Sequence, residues 1–405
     1  MKARSSEKGQ ALILIVFAIV GMIGMTALAV DGGMAYIDHR QAQNTADASA
    51  LAGALSLVRG GDWHTIGLNS ASANGFTNSG DTTVDVNNPP SASCDGANNP
   101  YTGNDEYVQV VIHSVSHTYF GPVIGITAIH NCVEAIARAK PGTTSPMVYG
   151  NALVSLAKNG SKTFWTHGNP HITTINSGIF VNSSTDCGFT SNGVPTISTP
   201  SISIVGSVSC PQMSGTVSYG VSQVPYPPMV LPNPTCTGNA VQNGTVLSPG
   251  IVNGDFPPKS HGVQVTDLES GIYCVTGNFM LNGNDTLNGT DIVIVMESGG
   301  VTLNGNGTLN LSAPTAGPFA GLLIYLPMSN NSVVKINGNS GQHFTGSILA
   351  PASEIMLDGT ADTNAYHSQI IGYTVDIAGT FNGTITYDDS QNYDAAIPPQ
   401  VELTR

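Results

Sequence analysis

Ala11 to Val30, "ALILIVFAIVGMIGMTALAV", runs twenty residues without a charge. As a helix it would be about 30 Å long, the thickness of a bilayer's hydrocarbon core. Lys2, Arg4 and Lys8 precede it against a single Glu7, so the positive-inside rule keeps residues 1–10 in the cytoplasm and sends the rest across. A cleaved secretory signal is the rival reading, with Thr26-Ala27-Leu28-Ala29 as a small-x-small site. The apolar run is longer than a usual signal core, and the segment after it is helical, so retention is expected. The chain is thus read as a single-pass protein of the cytoplasmic membrane, spanning at 11–30, with its C-terminal bulk outside and a place at the cell surface open to it.

The polar continuation, 31–59, reads as a stalk helix. Met34 to Val58 holds no proline and only Gly53 as glycine. Ala42, Ala46, Ala50 and Ala54 recur at i+4 beside Leu51, Leu55 and Val58, which a helix presents as one narrow, smooth stripe. Such a stripe either packs on the chain's own globular part or docks on another helix.

"KGQALILIVFAIVGMIGMTALAVDGGMAYIDHRQAQNTADASALAGA" resembles the N-terminal segment of the TadE/TadG-like proteins of the Flp (tight-adherence) pilus system. The matching elements are Gly9-Gln10 before the apolar run, Asp31-Gly32 closing it, Gln43-Asn44, Ala46-Asp47-Ala48 and Ala50-Leu51-Ala52-Gly53. "EYVQVVIHSVSHTYFGPVIGITAIHNCVEAIARAK", Glu106 to Lys140, is similar to the same family, where a strand, a short Phe-Gly helix and another strand come after the stalk. The resemblance covers about the first 140 residues. It implies a membrane-anchored, pilus-associated envelope protein that meets other Tad/Flp components through the stalk helix. Pilin-type processing would cut after a glycine and want Glu at the fifth mature position. A cut after Gly9 puts Leu14 there and leaves Glu7 upstream, so polymerisation as a major pilin is not expected.

Only 9% of residues are charged and 6% aromatic, while glycine numbers 47. That usage suits an exported, mainly β protein with many short strands. Twenty-six acidic residues against twelve basic ones give a net charge of −14, which offers no electrostatic footprint for nucleic acid. Cys94, Cys132, Cys187, Cys210, Cys236 and Cys274 all lie beyond the apolar run. An even number in an oxidising compartment implies three disulfides, and the absence of a C-x-x-C pair weakens a zinc or redox reading. Cys94 to Cys132 would tie a loop to a strand, and Cys187–Cys210 and Cys236–Cys274 are sequence-adjacent pairings, but connectivity stays open.

Residues 60–140 read as a small, pilin-like α/β module. Val84-Asp85-Val86 and Tyr107 to Val115 are strand-like, Phe120 to Ile126 suits a short helix, and Ala128 to Ala139 alternates again. His113 and His117 fall on one side of a strand, and with no third ligand in register they read as half-exposed strand histidines.

Beyond Pro141 the text changes. Asn-Gly recurs at 192, 243, 253, 282, 288, 304, 306, 337 and 382, between short runs such as "DIVIVM", "GLLIYL" and "YTVDIAG". Asn-Gly supplies the positive φ of tight corners. Apolar triplets return every 18–25 residues or so, about one turn of a solenoid. The expectation for 141–390 is a right-handed parallel β-helix with stacked asparagines at a corner, a β-sandwich being the alternative. "PYPPMVLPNP", Pro225 to Pro234, interrupts it as a polyproline-II excursion. Residues 391–405 read as a tail, and Asp388, Asp389 and Asp394 as a solvated cluster.

Candidate chemistry is thin. "LNGNDTLNGTD" resembles one imperfect calcium-binding repeat of secreted β-rolls, with Asp285 and Asp291 as weak carboxylate ligands. Ordinary corners explain it equally well, so no metal or cofactor is assigned. No tight Asp/Glu pair shares a face by spacing, and no Gly-x-Ser-x-Gly, His-Glu-x-x-His or phosphate loop occurs. The reading is therefore a structural or adhesive envelope protein without catalytic residues. Two alternatives remain. One is a surface polysaccharide-binding module using Trp165, Tyr325, Tyr366 or Tyr373. The other is a polysaccharide-active β-helix enzyme, which would need two carboxylates about 5–10 Å apart in a cleft.

Overall fold

The structure, a computed structural model, describes residues 8–91, 93–94, 96, 99–213, 215–228, 230–304, 307–338, 342–359 and 362–404. Lys2, Arg4, Glu7 and Asn306 lie outside them. The chain is mainly β with one long apolar N-terminal helix, and it divides into two compact units, Met1–Thr143 with Pro398–Arg405, and Thr144–Ile397.

The first unit is built on helix α1, Lys8–Val58, which runs without a break through the two segments that the sequence suggests as a span and a separate stalk. At 1.5 Å per residue its 51 residues extend about 76 Å. Its C-terminal half lies on an antiparallel sheet of β1 (Thr82–Asn87), β2 (Tyr107–His117), β3 (Ala128–Lys140) and a last strand, Gln400–Leu403. The alanine stripe is what lets it lie so close. Ala42, Ala46, Ala50 and Ala54 are fully buried among Val84, Val108, Val110, Ile112, Val133 and Ala135. Of the two uses open to the stripe, the chain's own sheet takes it.

Three details depart from the sequence reading. Helix α2, Trp63–Ala73, is not anticipated there, although Asp62 caps it by accepting the Thr65 N–H at 3.0 Å. The helix expected at Phe120 to Ile126 shrinks to one 3-10 turn, Gly121–Ile124, closed by Gly125 at φ 88°. Residues 391–405 are not a tail. Asp394–Ile397 pairs with Thr143–Pro146, and Gln400–Leu403 is a sheet strand in register with Ala137–Lys140. Of that strand Val401 packs against the first unit's core, half-buried, while Leu403 stays exposed.

The second unit consists chiefly of parallel ladders. One runs through Val217–Tyr219, Ile202–Ile204, Ile179–Val181 and Leu153–Ser155, then Ile370–Ile377, Ser347–Gly359, Leu322–Tyr325, Ile292–Met296, Gly271–Val275 and Gly250–Val252. A second ladder includes Phe279–Leu281, Val301–Leu303, Val334–Gly338, Phe164–Gly168 and Phe189–Gly193, joined to the first where Ser347–Gly359 and Ile370–Ile377 serve both. A third carries His171–Ile175, Asn382–Thr386, Thr308–Ser312 and Thr286–Gly289. Partners such as Asn282 and Asn304, or Asn288 and Asn310, are 22 residues apart.

Between the ladders runs one apolar core of Ile, Leu and Val, with Phe164 stacked on Phe189 at 5.0 Å and Phe344 on Tyr366 at 4.4 Å. Asparagine amides bridge successive repeats, Asn304 to Asn282 at 2.9 Å, Asn337 to Asn304 at 2.6 Å and Asn310 to Asn288 at 3.0 Å. The Asn-Gly pairs thus divide. Gly244, Gly254 and Gly283 take the positive φ of corners and Gly193 does so at the end of its strand, whereas 288–289, 337–338 and 382–383 lie in strands. At one corner no other residue fits: Gly168 has φ 84°, and a Cβ there would sit 2.6 Å from the Gly379 carbonyl.

Sequence order and spatial order differ in these ladders. The earliest strands, Leu153–Ser155 and His171–Ile175, stack on the latest, Ile370–Ile377 and Asn382–Thr386. The chain must therefore return along the whole ladder between Tyr219 and Gln242, roughly 43 Å at 4.8 Å per strand. Pro225 to Pro234 is suited to that task, since ten polyproline-II residues reach about 31 Å. This strap covers the outer side of the first ladder. Val224, Tyr226, Leu231 and Cys236 pack on Val154, Phe180, Val293, Val295 and Leu349, and Cys236 is bonded to Cys274. Asn182 clamps it by accepting the Val224 N–H at 2.9 Å and donating to the Val224 carbonyl at 3.1 Å. The strap explains why Ile292–Met296 is apolar at every position, whereas Thr308–Ser312 alternates.

Candidate functional site

The N-terminal half of α1 is the first candidate. Most of its large apolar side chains are bare: Leu12, Leu14, Phe17, Met22, Met25 and Leu28 are all exposed. It is the one helix among the described residues long and apolar enough to cross a membrane. Asp31 follows this run, its carboxylate buried and accepting the backbone N–H groups of Tyr119 and Phe120 at 3.0 Å and of Gly121 at 2.7 Å, and past it Met34, Tyr36 and Ile37 are still exposed. Two turns on, Asp38 accepts hydrogen bonds from Ser114 and Asn131, both at 2.6 Å. Gln43 donates to the Glu134 carbonyl at 3.1 Å and to Asp47 at 2.8 Å.

The residues singled out by resemblance therefore have separate jobs. Asp31 and Gln43 fasten α1 to the β2–β3 loop and to β3, and Asp47 orients Gln43. Ala46 and Ala50 form the packed contact. Gly53 admits the close approach, since a Cβ there would lie 3.1 Å from Val108 Cγ1 and 3.3 Å from the Trp63 carbonyl. Asn44 is exposed, and a Cβ on Gly32 would meet nothing within 4 Å. Gly9 lies in the helix, and the side chain of Gln10 is outside the described atoms. Asp38, which sequence reasoning missed, shares one helical face with Asp31 and was findable from that seven-residue spacing.

The sites sought in the rest of the chain do not assemble as ligand sites. Asp285 accepts the Asn282 N–H at 2.9 Å within its own turn, and Asp291 sits at a corner with φ 58°. Among the described residues no group of three His, Cys, Asp or Glu could hold a metal ion. His117 faces Asp81 at 2.8 Å, and His113 faces Cys132. Cys94 is bonded to Cys132, Cys187 to Cys210 and Cys236 to Cys274. Asp388 accepts from Ser390, and Asp389 from the Tyr387 hydroxyl. Of the four aromatics considered for sugar binding, Tyr366 is buried in the core and Tyr325 is buried in one cluster with Tyr393, where burial pushes its phenol up to about 12. Tyr373 packs on Tyr226 of the strap. Trp165 remains, with Lys162 4.4 Å above its ring and its indole N–H donated to Asn192 at 2.8 Å.

A carboxylate cluster does form, contrary to the reading that no pair shares a face. Asp376 lies beside Trp165 in register and 3.1 Å from His167, Glu354 stands close enough to feel its charge, and Lys335 is 3.7 Å from Asp358. The parallel stacking brings together positions one repeat apart, which linear spacing within a strand cannot reveal. Burial raises the Glu354 carboxyl above its ordinary value, with Asp376 adding to the rise. Burial also raises Asp376, with His167 pulling the other way and Asp358 adding to the rise. A carboxyl raised on folding holds its proton more tightly in the folded state. Its stabilisation is complete below the ordinary carboxyl value and is lost as pH climbs through the raised one. The second unit should lose stability from this source as pH climbs above the ordinary carboxyl range. Glu354→Gln is expected to raise its melting temperature at pH 7 and to flatten that loss. A variant that melts lower at pH 7, with the slope unchanged, would refute this.

Residues 9–56 match a family model described as putative Flp pilus-assembly TadE/G-like. No curated protein and no solved structure matches the chain. The matched segment is the exposed apolar half of α1 together with the half that docks on the sheet. The match and the helix together fit a Tad pilus-associated membrane protein, held in the membrane by a single pass.

Proposed function

We propose that this chain is an extracytoplasmic structural or adhesive protein of the cell envelope, anchored by residues 11–30 and working with a Tad/Flp-type pilus. The single observation that carries the reading is that the matched segment, residues 9–56, takes in both the largely exposed apolar part of α1 before Asp31 and the docked alanine stripe from Ala42 on. In this reading the first unit is pilin-like. Its alanine stripe is already used, so pilus partners are met through the apolar half of α1 or the outer surfaces of the units.

The second unit is read as a right-handed parallel β-helix of stacked three-sided turns, supported by parallel registers about 22 residues apart and by the asparagine ladders. Three disulfides suit an oxidising compartment. The unit is taken to be non-catalytic: Glu354 and Asp376 belong to an outward row of a sheet in which His167 and Lys335 already offset the charge. The test is immunolabelling of the protein on cells and on sheared pili. Envelope labelling with filaments bare along their length is expected. Uniform labelling along the filaments would make the protein a major subunit and overturn the reading.

A further inference from the structure

The β2–β3 loop, Thr118 to Thr127, presents an apolar surface that stays exposed among the described residues. Val123 is 59% and Ile124 52% exposed, and Tyr119, Phe120 and Ile126 are exposed too. No Asp, Glu, Lys or Arg occurs between His117 and His130. The loop also reaches down α1 past the end of the charged region. Thr118, Gly121, Ile124 and Ile126 line a small apolar cleft whose other wall is Gly24, Ala27, Leu28 and Asp31. Ala27 is buried there, although its neighbours on the other faces of α1 are bare.

That contact fixes a depth. Gly24 lies six residues, about 9 Å, inside the Val30 end of the apolar run. If Ala11 to Val30 fills the bilayer core, whatever touches Gly24 and Ala27 lies within the same slab. Ending the span at Gly24 would leave only about 20 Å of helix, too short for a core of about 30 Å.

Most of the loop's N–H groups meet the demand that such a place makes, that polar groups be paired internally. The N–H groups of Tyr119, Phe120 and Gly121 all go to Asp31. Thr118 donates its N–H to the Thr127 carbonyl and its hydroxyl to the Ile126 carbonyl, at 3.2 and 2.6 Å. Val123, Gly125 and Ile126 donate to Phe120, Pro122 and Gly121. Asp31 is a buried anion with three donors, and Tyr119 supplies the aromatic ring favoured at a membrane boundary.

We propose that this loop is a second membrane contact, inserted into the outer leaflet beside α1 and locked there by Asp31. Lipid is the occupant because the loop's surface is continuous with the apolar face of α1. The inference rests on the reading that 11–30 spans the bilayer, so its test must separate the two.

With every cysteine paired, a single added cysteine is a unique thiol for a spin label. Full-length Phe17→Cys, Val123→Cys and Val194→Cys, each at an exposed position, are labelled in phosphatidylcholine vesicles, and access to oxygen and to a water-soluble nickel chelate is measured. Phe17 should report the bilayer interior, Val194 water, and Val123 a shallow depth with oxygen favoured over nickel. A water-like Val123 beside a deep Phe17 would overturn the loop insertion alone. A Val123 shielded from both reagents would also overturn it, in favour of contact with a second copy. A water-like Phe17 would overturn the span itself.

Discussion

Ala50→Glu in α1 is expected to unfold the first unit, while Ala48→Glu, two residues away, leaves it folded. Ala50 is fully buried between α1 and the sheet, and Ala48 is exposed. The stripe is tight: its four alanines are fully buried, and at Gly53 not even a methyl group fits without movement of Val108. A glutamate at position 50 would bring both excess volume and an unpaired charge, together costing about 4 kcal/mol or more, a large part of a small unit's stability. At position 48 the cost should be about 0.5 kcal/mol or less. Trp63 packs against this cluster, so its fluorescence during urea unfolding in detergent reports the loss. Equal stability of the two variants would mean that the stripe faces a partner and not the sheet.

The second large effect concerns the strap. Cys236 and Cys274 close a 38-residue separation, for which the chain-entropy relation gives roughly 4 kcal/mol. Replacing both by serine should lower the stability of the second unit by that order. It should also open residues 220–241 to proteolysis before the ladders themselves unfold, because hydrogen bonds such as those of Asn182 and Gln223 and side-chain packing such as Tyr226 on Tyr373 would then hold the strap without a covalent tie. Mass mapping of the first cleavage sites reads this directly. First cuts elsewhere, with the strap intact, would contradict the role given to it.

These features were unequally legible in the sequence. The apolar run, the alanine stripe and the strand-rich character beyond Pro141 come from local periodicity. Which surface the stripe meets does not, because a smooth face suits a sheet as well as a helix. The proline-rich excursion was readable as extended chain, but its course was not: it depends on the first strands stacking on the last, a relation between residues some 220 apart, such as Gln369 and Met147. The fully apolar "DIVIVM" carried the hint, since an outer side that stays apolar must be covered by something. The carboxylates of Glu354 and Asp376 were hidden for the same reason, being neighbours only through the ladder. Helix α2 was lost for another: Thr65, Ser70 and Ser72 dilute its pattern, although Asp62 marked its start.

The central claim is that residues 11–30 stay in the mature protein as an anchor, with both β-rich units on the outer side. The most direct test is the intact mass of the detergent-extracted membrane protein, combined with protease treatment of intact spheroplasts. The account predicts a mass that retains residues 11–30, in the membrane fraction, with the bulk of the chain digested from outside. A mature protein beginning near residue 30 and released without detergent would contradict it.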